Sequence, residues 1–499
     1  MTNLFKWAWL PILVVFALIA SPHLGYPSKP VFDEIYTALA AQEFVEGHVP
    51  HEQTHPPLSK LFMAASYLFW YGGRFQEATE AWSPIAFAIR TPSVVAGICS
   101  LGLIYLLGIA MFDDRRRATL AMALLAMDSL FLVLSRTAMT NIYGMCFLLL
   151  CTLGTWLSIK RQDPRWLFLA GAGLGLGGAS RWTALVGGSL CVLLVWAYLG
   201  GKRASLREWG RWWAFGFAAM AVLPVLIYLS TFFPQVWMAT HHDLGKVFSL
   251  HSADYLVRVH KFAVNSHKLL GVPNPDYSRW YTWPFMLSPA WFFISPTSNT
   301  TQYIGIWAIG NGLIWWAMLP VLAYGLHQGL VRKRREVLAL VVMALGLWLV
   351  WAAARSPINY LHYMFEVVPF LCLLIADALV KAWEAPDRWR LPARAAVGAY
   401  LGLTLAWAVW FYPLLTAQQV DYTWYRRHLA VGPASWDETT RLAAWRKENH
   451  LEDNKAYAAF LKTWYPTSDT FLQLLSEHDE LRHSQREHPP QPGKSPASK

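Results

Sequence analysis

The chain carries little charge for its length. Of its 499 residues only 15% are Asp, Glu, Lys or Arg, whereas 55% are hydrophobic and 28 are tryptophan. Soluble domains carry about 25% charged residues, so this composition excludes an ordinary soluble protein. Acid is scarcer than base, 31 residues against 42, for a formal net charge of +11. Cysteine is also scarce. Cys99, Cys146, Cys151, Cys191 and Cys372 all fall in apolar runs, and none has the spacing of a metal site, a redox motif or a disulfide framework. No internal repeat is present, which weighs against the two-fold architecture common in transporters. The glycine-rich run from Gly171 to Gly178 follows no strand and sits in no βαβ unit, so it is not a dinucleotide loop. Within an apolar span, small residues instead let helices approach closely.

What is present is a series of apolar runs of membrane-crossing length. The expected fold is an all-α polytopic membrane protein. Eleven spans are predicted, near residues 5–22, 85–111, 118–136, 138–158, 167–181, 183–200, 212–231, 302–326, 337–354, 359–380 and 394–413. The first follows Lys6 and reads as a retained anchor rather than a cleaved signal, because further spans follow it. Basic residues cluster in the short loops: Arg115 to Arg117, Lys160-Arg161, Lys202-Arg203, Arg332 to Arg335, and the stretch from Lys381 to Arg394. Placing each cluster in the cytoplasm satisfies the positive-inside rule and accounts for the net charge without a nucleic-acid partner. The N-terminus is then cytoplasmic and the tail from about Tyr412 is external. Two long external segments result, 23–84 and 232–301. In the first, Leu58 to Tyr71 is too short to span and is expected to lie along the interface, while residues 33–45 can form a short helix. The transmembrane domain is read as 1–413, followed by an external helical segment 414–475. The polar, proline-containing residues 476–499 read as disordered.

Charge in unexpected places marks the candidate site. Asp33 and Glu34 lie side by side just after the first span, where carboxylates are costly unless they have a role. A helix N-terminus favours an acid there, which explains one of the pair better than both. Asp33 is therefore read as catalytic or substrate-binding, and Glu34 is left open. Arg90, Arg136, Arg181 and Arg355 lie at the outer ends of spans, where the positive-inside rule does not put them. One such side chain could snorkel to the headgroups. Four on the side of an acidic pair point to an outward cavity that binds a lipid phosphate, which a planar guanidinium suits. In His51-Glu-Gln-Thr-His-Pro-Pro-Leu-Ser-Lys60 the two prolines disfavour helix at His55. His48, His51 and His55 match no zinc spacing. Lys60, opening the interfacial segment, is better placed for phosphate. The loop Pro275 to Pro284, with Tyr277, Trp280, Tyr281 and Trp283, reads as an interfacial aromatic belt or as a wall for sugar or acceptor.

Together these pieces resemble the protein O-mannosyltransferases, GT-C-type membrane enzymes that use a polyprenyl-phosphate sugar donor. The matching strings run in order over about residues 30–380. They are Phe32-Asp33-Glu34, His55-Pro-Pro-Leu-Ser-Lys60, Ser135-Arg136, Arg181-Trp182, Trp280-Tyr-Thr-Trp-Pro284, Gly310-Asn311 with Trp315-Trp316, and Arg355 with His362-Tyr363 and Pro369-Phe370. The resemblance implies eleven spans, an extracytoplasmic site and Asp33 as the catalytic aspartate. It departs from the family in three places. Thr140-Asn141 stands where the family often has an aspartate, Arg181 stands for a lysine, and Asn274 lies where a histidine usually precedes the aromatic string. The large external loop is too short for the β-trefoil insert of eukaryotic members, which implies a bacterial or archaeal source.

The expected reaction is inverting transfer of a mannosyl (or other hexosyl) residue from a polyprenyl phosphate to Ser or Thr of secreted or membrane proteins at the plasma (inner) membrane. Asp33 would be the general base. A phosphate leaving group departs without protonation, so no acid partner of the glycosidase kind is needed. Arg136 is the first choice for donor phosphate, then Arg181, Arg355 and Lys60. Glu34, His55, Asn141, Tyr281, Trp283 and His362 are the expected acceptor and sugar pocket. No cofactor or metal is required by this scheme, and the sequence leaves open assistance by a divalent ion, as it does the oligomeric state. The alternatives are a lipid or polysaccharide acceptor, or a transporter or flippase of lipid-linked sugars.

Overall fold

The computed structural model describes residues 7–72, 82–202, 204–269, 277–295, 302–353, 359–436, 438–448, 450 and 453. Arg355, Asn274 and the expected disordered tail lie outside the described residues. The chain divides into two compact units, Met1–Asp437 and Glu438–Lys499. In the second, Glu438–Glu448 is helical.

The first unit begins with α1 (Trp9–Ala20), α2 (Glu34–Val45), α3 (Leu58–Tyr71) and α4 (Trp82–Phe112). There follow α5 (Arg115–Ala126), α6 (Ser129–Arg136), α7 (Asn141–Arg161), α8 (Leu167–Ser180) and α9 (Thr183–Lys202). Helix α10 (Leu206–Phe217) runs through a π-turn into α11 (Leu223–Thr231), and the loop after it holds α12 (Phe233–Ala239), α13 (Leu244–Val247) and α14 (Leu250–Leu269). Strands β1 (Ala290–Ser295) and β2 (Gln302–Ala308) precede α15 (Gly312–Trp315), α16 (Met318–Leu326) and α17 (Arg335–Ala353). Then come α18 (Val368–Trp383), α19 (Asp387–Leu415), β3 (Val420–Asp421) and α20 (Tyr422–Leu429).

By length and apolarity, seven of the described helices can cross a membrane, or eight if the bent pair α5–α6 forms one span. The remaining expected spans near 5–22, 167–181 and 302–326 correspond to shorter helices. Helices α2 and α3 form where a short helix and an interfacial segment are expected. The fold is not wholly helical. β1 and β2 form an antiparallel hairpin, Ala290 facing Ala308, with an irregularity between Trp291 and Phe293. β3 adds to β2 by pairing Gln302 with Asp421. The segment 302–326 thus begins as a strand, because Tyr303 and Trp307 turn inward to pack with Trp291 and Tyr425 instead of facing lipid.

Two polar devices shape the helical core. Asp128 breaks the expected span 118–136 and bends α5 against α6 by 65°. Its Oδ1 caps α6 by accepting from Phe131 N at 2.9 Å, while Oδ2 accepts from Asn311 N at 3.0 Å and Trp315 Nε1 at 2.9 Å. The Gly310-Asn311…Trp315 string therefore secures this bend. At one end of the bundle, Asp377 accepts from Arg117 and from both Nη atoms of Arg334 at 2.6–2.9 Å, as well as from Tyr324 Oη. Two of the basic clusters expected in the cytoplasm, Arg115 to Arg117 and Arg332 to Arg335, meet here. The glycine run of α8 packs as its composition suggests. A Cβ on Gly171 would lie 1.7 Å from Ala219 O, and one on Gly173 would lie 2.5 Å from Cys151 N.

The acidic pair separates into two environments. Glu34 is fully buried and its carboxylate is taken up by protein donors, which corrects its assignment to the sugar site. Its carboxylate accepts from Arg90 Nε at 2.9 Å and Nη2 at 2.7 Å, and from the backbone N of Val31 at 3.0 Å and Ala138 at 2.6 Å. Arg90 also donates to the carbonyls of Leu24, Pro27 and Lys29 at 3.0–3.2 Å. Arg90 is thus a structural cation and not a lipid-phosphate contact. Removing one member of a buried, fully bonded pair leaves the other charge stranded, at about 3–5 kcal/mol. Glu34→Ala is therefore expected to lower the thermal unfolding midpoint of the detergent-solubilised protein by several degrees, whereas Glu34→Gln, which keeps the acceptor oxygen, loses less. Equal midpoints for wild type and Glu34→Ala would contradict this account.

Candidate active site

The site is assembled where α2 begins, and its first element is strained. Phe32 has φ +48°, a left-handed conformation that non-glycine residues rarely adopt. Aromatic contacts hold it there. Phe32 stacks on Phe292 of β1 with ring centres 4.6 Å apart, and meets Tyr360 and His362 edge-on at 5.4 and 5.6 Å. The strain, of order 1–3 kcal/mol, is held by packing that also fixes the next residue, Asp33. The Asp33 side chain makes no capping bond to its own helix, and the residue is exposed to solvent. Yet enough protein surrounds it for burial to hold its carboxyl above the ordinary aspartate value of 3.8. His55 and Arg181 pull it down and Glu52 pushes it further up. Asp33 is therefore recessed but reachable.

The loop before α3 forms one wall. Glu52 accepts from the backbone N of Thr54 at 2.9 Å and His55 at 3.1 Å, from the Thr54 hydroxyl, and from the Lys60 ammonium. Burial alone would raise its pKa, but Lys60 and the His55 ring outweigh that and hold the Glu52 carboxyl well below its usual range. The His55 Nδ1 lies 3.3 Å from Glu52 Oε1. Lys60 also donates to the carbonyls of Glu52 at 3.0 Å and His55 at 2.8 Å. An ammonium has three protons, so Lys60 is fully engaged inside its own loop. This corrects its assignment to donor phosphate. The three histidines of the region diverge, with His48 beside Glu46, His51 against Glu43 and His55 beside Glu52. Among the described residues no three or more His, Cys, Asp or Glu are placed to hold a metal ion.

The opposite wall centres on Arg181, between α8 and α9. It is buried, and its Nη1 lies 3.3 Å from both Thr140 Oγ1 and Asn141 Oδ1, at the start of α7. Its Nε lies 3.6 Å from Glu366 Oε1, and its guanidinium sits over the Tyr363 ring at 5.2 Å. Three buried polar atoms of this wall have no hydrogen-bond partner: Arg181 Nε, Asn141 Nδ2 and His362 Nδ1. Buried polar groups are normally satisfied, so this cluster marks a place shaped for a ligand rich in acceptors.

The other expected residues divide. Arg136 does not join this group. Its Nη1 and Nη2 donate to the carbonyls of Ala20 and Pro22, the second at 2.8 Å. It lines a separate small cavity with Tyr26, Arg90 and Thr416. Carbonyls at the end of α1 thus occupy the side chain given first rank for phosphate. Trp283 is fully buried, donates to Ser278 Oγ at 2.9 Å and packs edge-on to Trp351 and Tyr363, so it supports the wall from behind and is no exposed platform. Tyr281 is exposed and its Oη accepts from Arg279 at 3.1 Å. His362 is buried, stacked on Tyr360 at 5.2 Å. The site residues to which the sequence reading gave no role are Glu52, Tyr363 and Glu366. Glu52 and Glu366 lie inside or beside quoted strings, but nothing in their spacing singles them out.

Comparisons with known proteins bear on the fold and the class of enzyme. The family model described as Dolichyl-phosphate-mannose-protein mannosyltransferase matches residues 11–240. A polyprenol-phosphate-mannose–protein mannosyltransferase of Mycolicibacterium smegmatis is 23% identical over 86% of this chain and 93% of its own length. Its namesake from Mycobacterium tuberculosis is 22% identical over 84% and 87%. In structure, the chain is similar to the S. cerevisiae protein O-mannosyltransferase Pmt1-Pmt2 complex bound to the sugar donor, with TM-score 0.68, 12% identity and coverage of 83% of this chain and 90% of that one. It is also similar to ArnT from Cupriavidus metallidurans bound to undecaprenyl phosphate, with TM-score 0.52, 14% identity and coverage of 83% and 77%. The shared fold is that of the GT-C membrane glycosyltransferases, and the chain is similar to the protein O-mannosyltransferases over most of its length.

Proposed function

We propose that this glycosyltransferase moves a mannosyl residue from a polyprenyl phosphate to a Ser or Thr hydroxyl of a protein, with Asp33 as base and Arg181 as the principal contact to the donor phosphate. One observation carries the reading: a reachable, desolvated carboxylate stands within electrostatic reach of a buried arginine whose Nε, with the neighbouring Asn141 Nδ2, lacks a protein partner. The named bacterial relatives use polyprenol-phosphate-mannose and act on proteins, and the geometry suits that chemistry. The acceptor oxygen attacks the anomeric carbon as the carbon–oxygen bond to phosphate breaks. Asp33 takes the hydroxyl proton, the electron pair leaves with the phosphate, and the Arg181 guanidinium faces the developing charge. A single displacement of this kind inverts the anomeric centre.

We read the orientation from the span Leu361–Trp383. Asp377, which gathers Arg117 and Arg334, lies eleven residues after Glu366 within it, roughly 17 Å at helical rise. With the basic end in the cytoplasm, the site opens on the extracytoplasmic side, and the plasma membrane is the natural location for a bacterial enzyme using this donor.

Asp33→Asn keeps size and removes basicity. Transfer of radiolabelled mannose from a polyprenyl phosphate to a Ser/Thr peptide should fall by about 10²–10⁴-fold, with donor binding retained. Wild-type turnover by folded Asp33→Asn would sink the base assignment. Label found in lipid instead of peptide would redirect the acceptor.

The pH dependence has a definite sign. The working form of Asp33 is ionised and its pKa is raised, so kcat/KM should fall on acidification at a pH above the ordinary aspartate value of 3.8. Positive charge at His55 lowers the Asp33 pKa. His55→Gln should therefore shift the acidic limb to higher pH. A limb that stays put would show that His55 does not tune Asp33.

A further inference from the structure

Around Arg181 the protein places one carboxylate and one amide on different elements. Glu366 precedes α18, is 3% exposed, and is itself held by the Thr183 hydroxyl, which donates to Oε1 at 2.7 Å. The same oxygen lies 3.6 Å from Arg181 Nε. Asn141 opens α7, is fully buried, and meets Arg181 Nη1 at 3.3 Å through Oδ1. A guanidinium only donates, so the amide oxygen must face it. That leaves the Asn141 NH₂ turned away from Arg181, buried and without a partner.

We infer that Glu366 is a positioning residue that supplies the counter-charge to Arg181, and that this frees position 141 to present an amide donor to the bound phosphate. The inference rests on the reading of Arg181 as the phosphate contact. The sharing of tasks has a physical logic. A buried arginine needs a carboxylate, since an uncompensated charge is costly there. Asp33 already lies within electrostatic reach of Arg181, and a second carboxylate in direct contact beside Glu366 would over-neutralise the guanidinium and repel an incoming anion. One carboxylate and one amide avoid both faults, and either of the two positions can geometrically carry the charge. Glu366→Gln removes the counter-charge. Asn141→Asp adds a second one and deletes the donor. Asn141→Asp with Glu366→Gln returns the carboxylate count to one, on the other side of the same guanidinium.

The test is steady-state transfer by the full-length, reconstituted enzyme, with polyprenyl-phosphate mannose varied. Each single variant should raise the donor KM by about tenfold with a smaller change in kcat, and the double variant should bring KM severalfold below that of Asn141→Asp while leaving it above wild type, because the charge balance is restored and the amide donor is not. A coupling of that size is characteristic of residues sharing one partner. A double variant as impaired as the worse single variant, or wild-type donor KM in Glu366→Gln, would overturn the inference. If Glu366→Gln does not accumulate as folded protein, Asn141→Asp decides alone, and an unchanged donor KM overturns it. Arg181→Ala separates the two levels. An unchanged donor KM there would remove the phosphate reading itself, whereas a raised KM without rescue in the double variant would refute only the role of Glu366.

Discussion

The buried pair of Glu34 and Arg90 is the contact on which the position of Asp33, the proposed base, depends. Glu34 receives four donors, and Arg90 adds three backbone carbonyls of the segment between α1 and α2. One ion pair therefore ties α4, the start of α2, the incoming loop and the turn before α7. Two charges withdrawn from water cost several kcal/mol each and recover that only with complete hydrogen bonding, which is met here. An apolar replacement of similar shape is often as stable, so stability alone does not account for such a pair. What the pair uniquely supplies is placement. The residue next to Glu34 is Asp33, and the turn that Ala138 belongs to leads into Thr140 and Asn141, on the other wall of the site. A shift of either end would move base and phosphate contact relative to each other.

The cations outside the basic loops are sorted by how many of their protons the protein itself consumes. Arg90 spends its donors on Glu34 and three carbonyls, Arg136 on carbonyls at the end of α1, and Lys60 on Glu52 and its own loop. Only Arg181, among the described members of the set, keeps a buried nitrogen without a partner. Charge near a membrane is thus a poor guide to ligand binding until the hydrogen bonds are counted. All four satisfy the argument that a cation there must have a partner, and the protein supplies one to each; Arg181 differs in that its Nε still lacks a hydrogen bond.

That distinction marks the limit of what could be read from residues alone. The membrane class, the short helices α2 and α3 and the packing role of the glycine run were legible, because each is written in local composition or in a contiguous string. The sorting of Asp33 from Glu34 was not, since adjacent residues of one type differ only in which way the first turn of α2 faces. Glu366 was invisible for the opposite reason. It approaches Arg181 across nearly two hundred residues of chain, and in its own neighbourhood it is one acid in an apolar run. The hairpin β1–β2 was missed because Tyr303 and Trp307, read in sequence, serve equally as membrane-facing aromatics. Only the ring of Trp291 and Tyr425 against them decides for a sheet. The bend at Asp128 was hidden by the apolar residues on both sides, which are continuous enough to read as one span.

The enclosure of Asp33 bears on how a single carboxylate can suffice. A base on an open surface would be held near the ordinary aspartate pKa and would take a hydroxyl proton weakly. Burial raises Asp33, while the positive groups on either side keep it from rising so far that it stays protonated. The two effects come from different parts of the chain, the His55 loop from one side and Arg181 from the other. Arg181 also faces where the leaving phosphate would carry its charge, so the cation that keeps the base ionised would stabilise the product anion. A phosphate that leaves unaided needs no acid, and one arginine then performs the electrostatic work that a second carboxyl group would do in a glycosidase. The absence of aspartate at position 141 is consistent with this economy: its place is taken by an amide, and the negative charge that a buried guanidinium requires stands at Glu366.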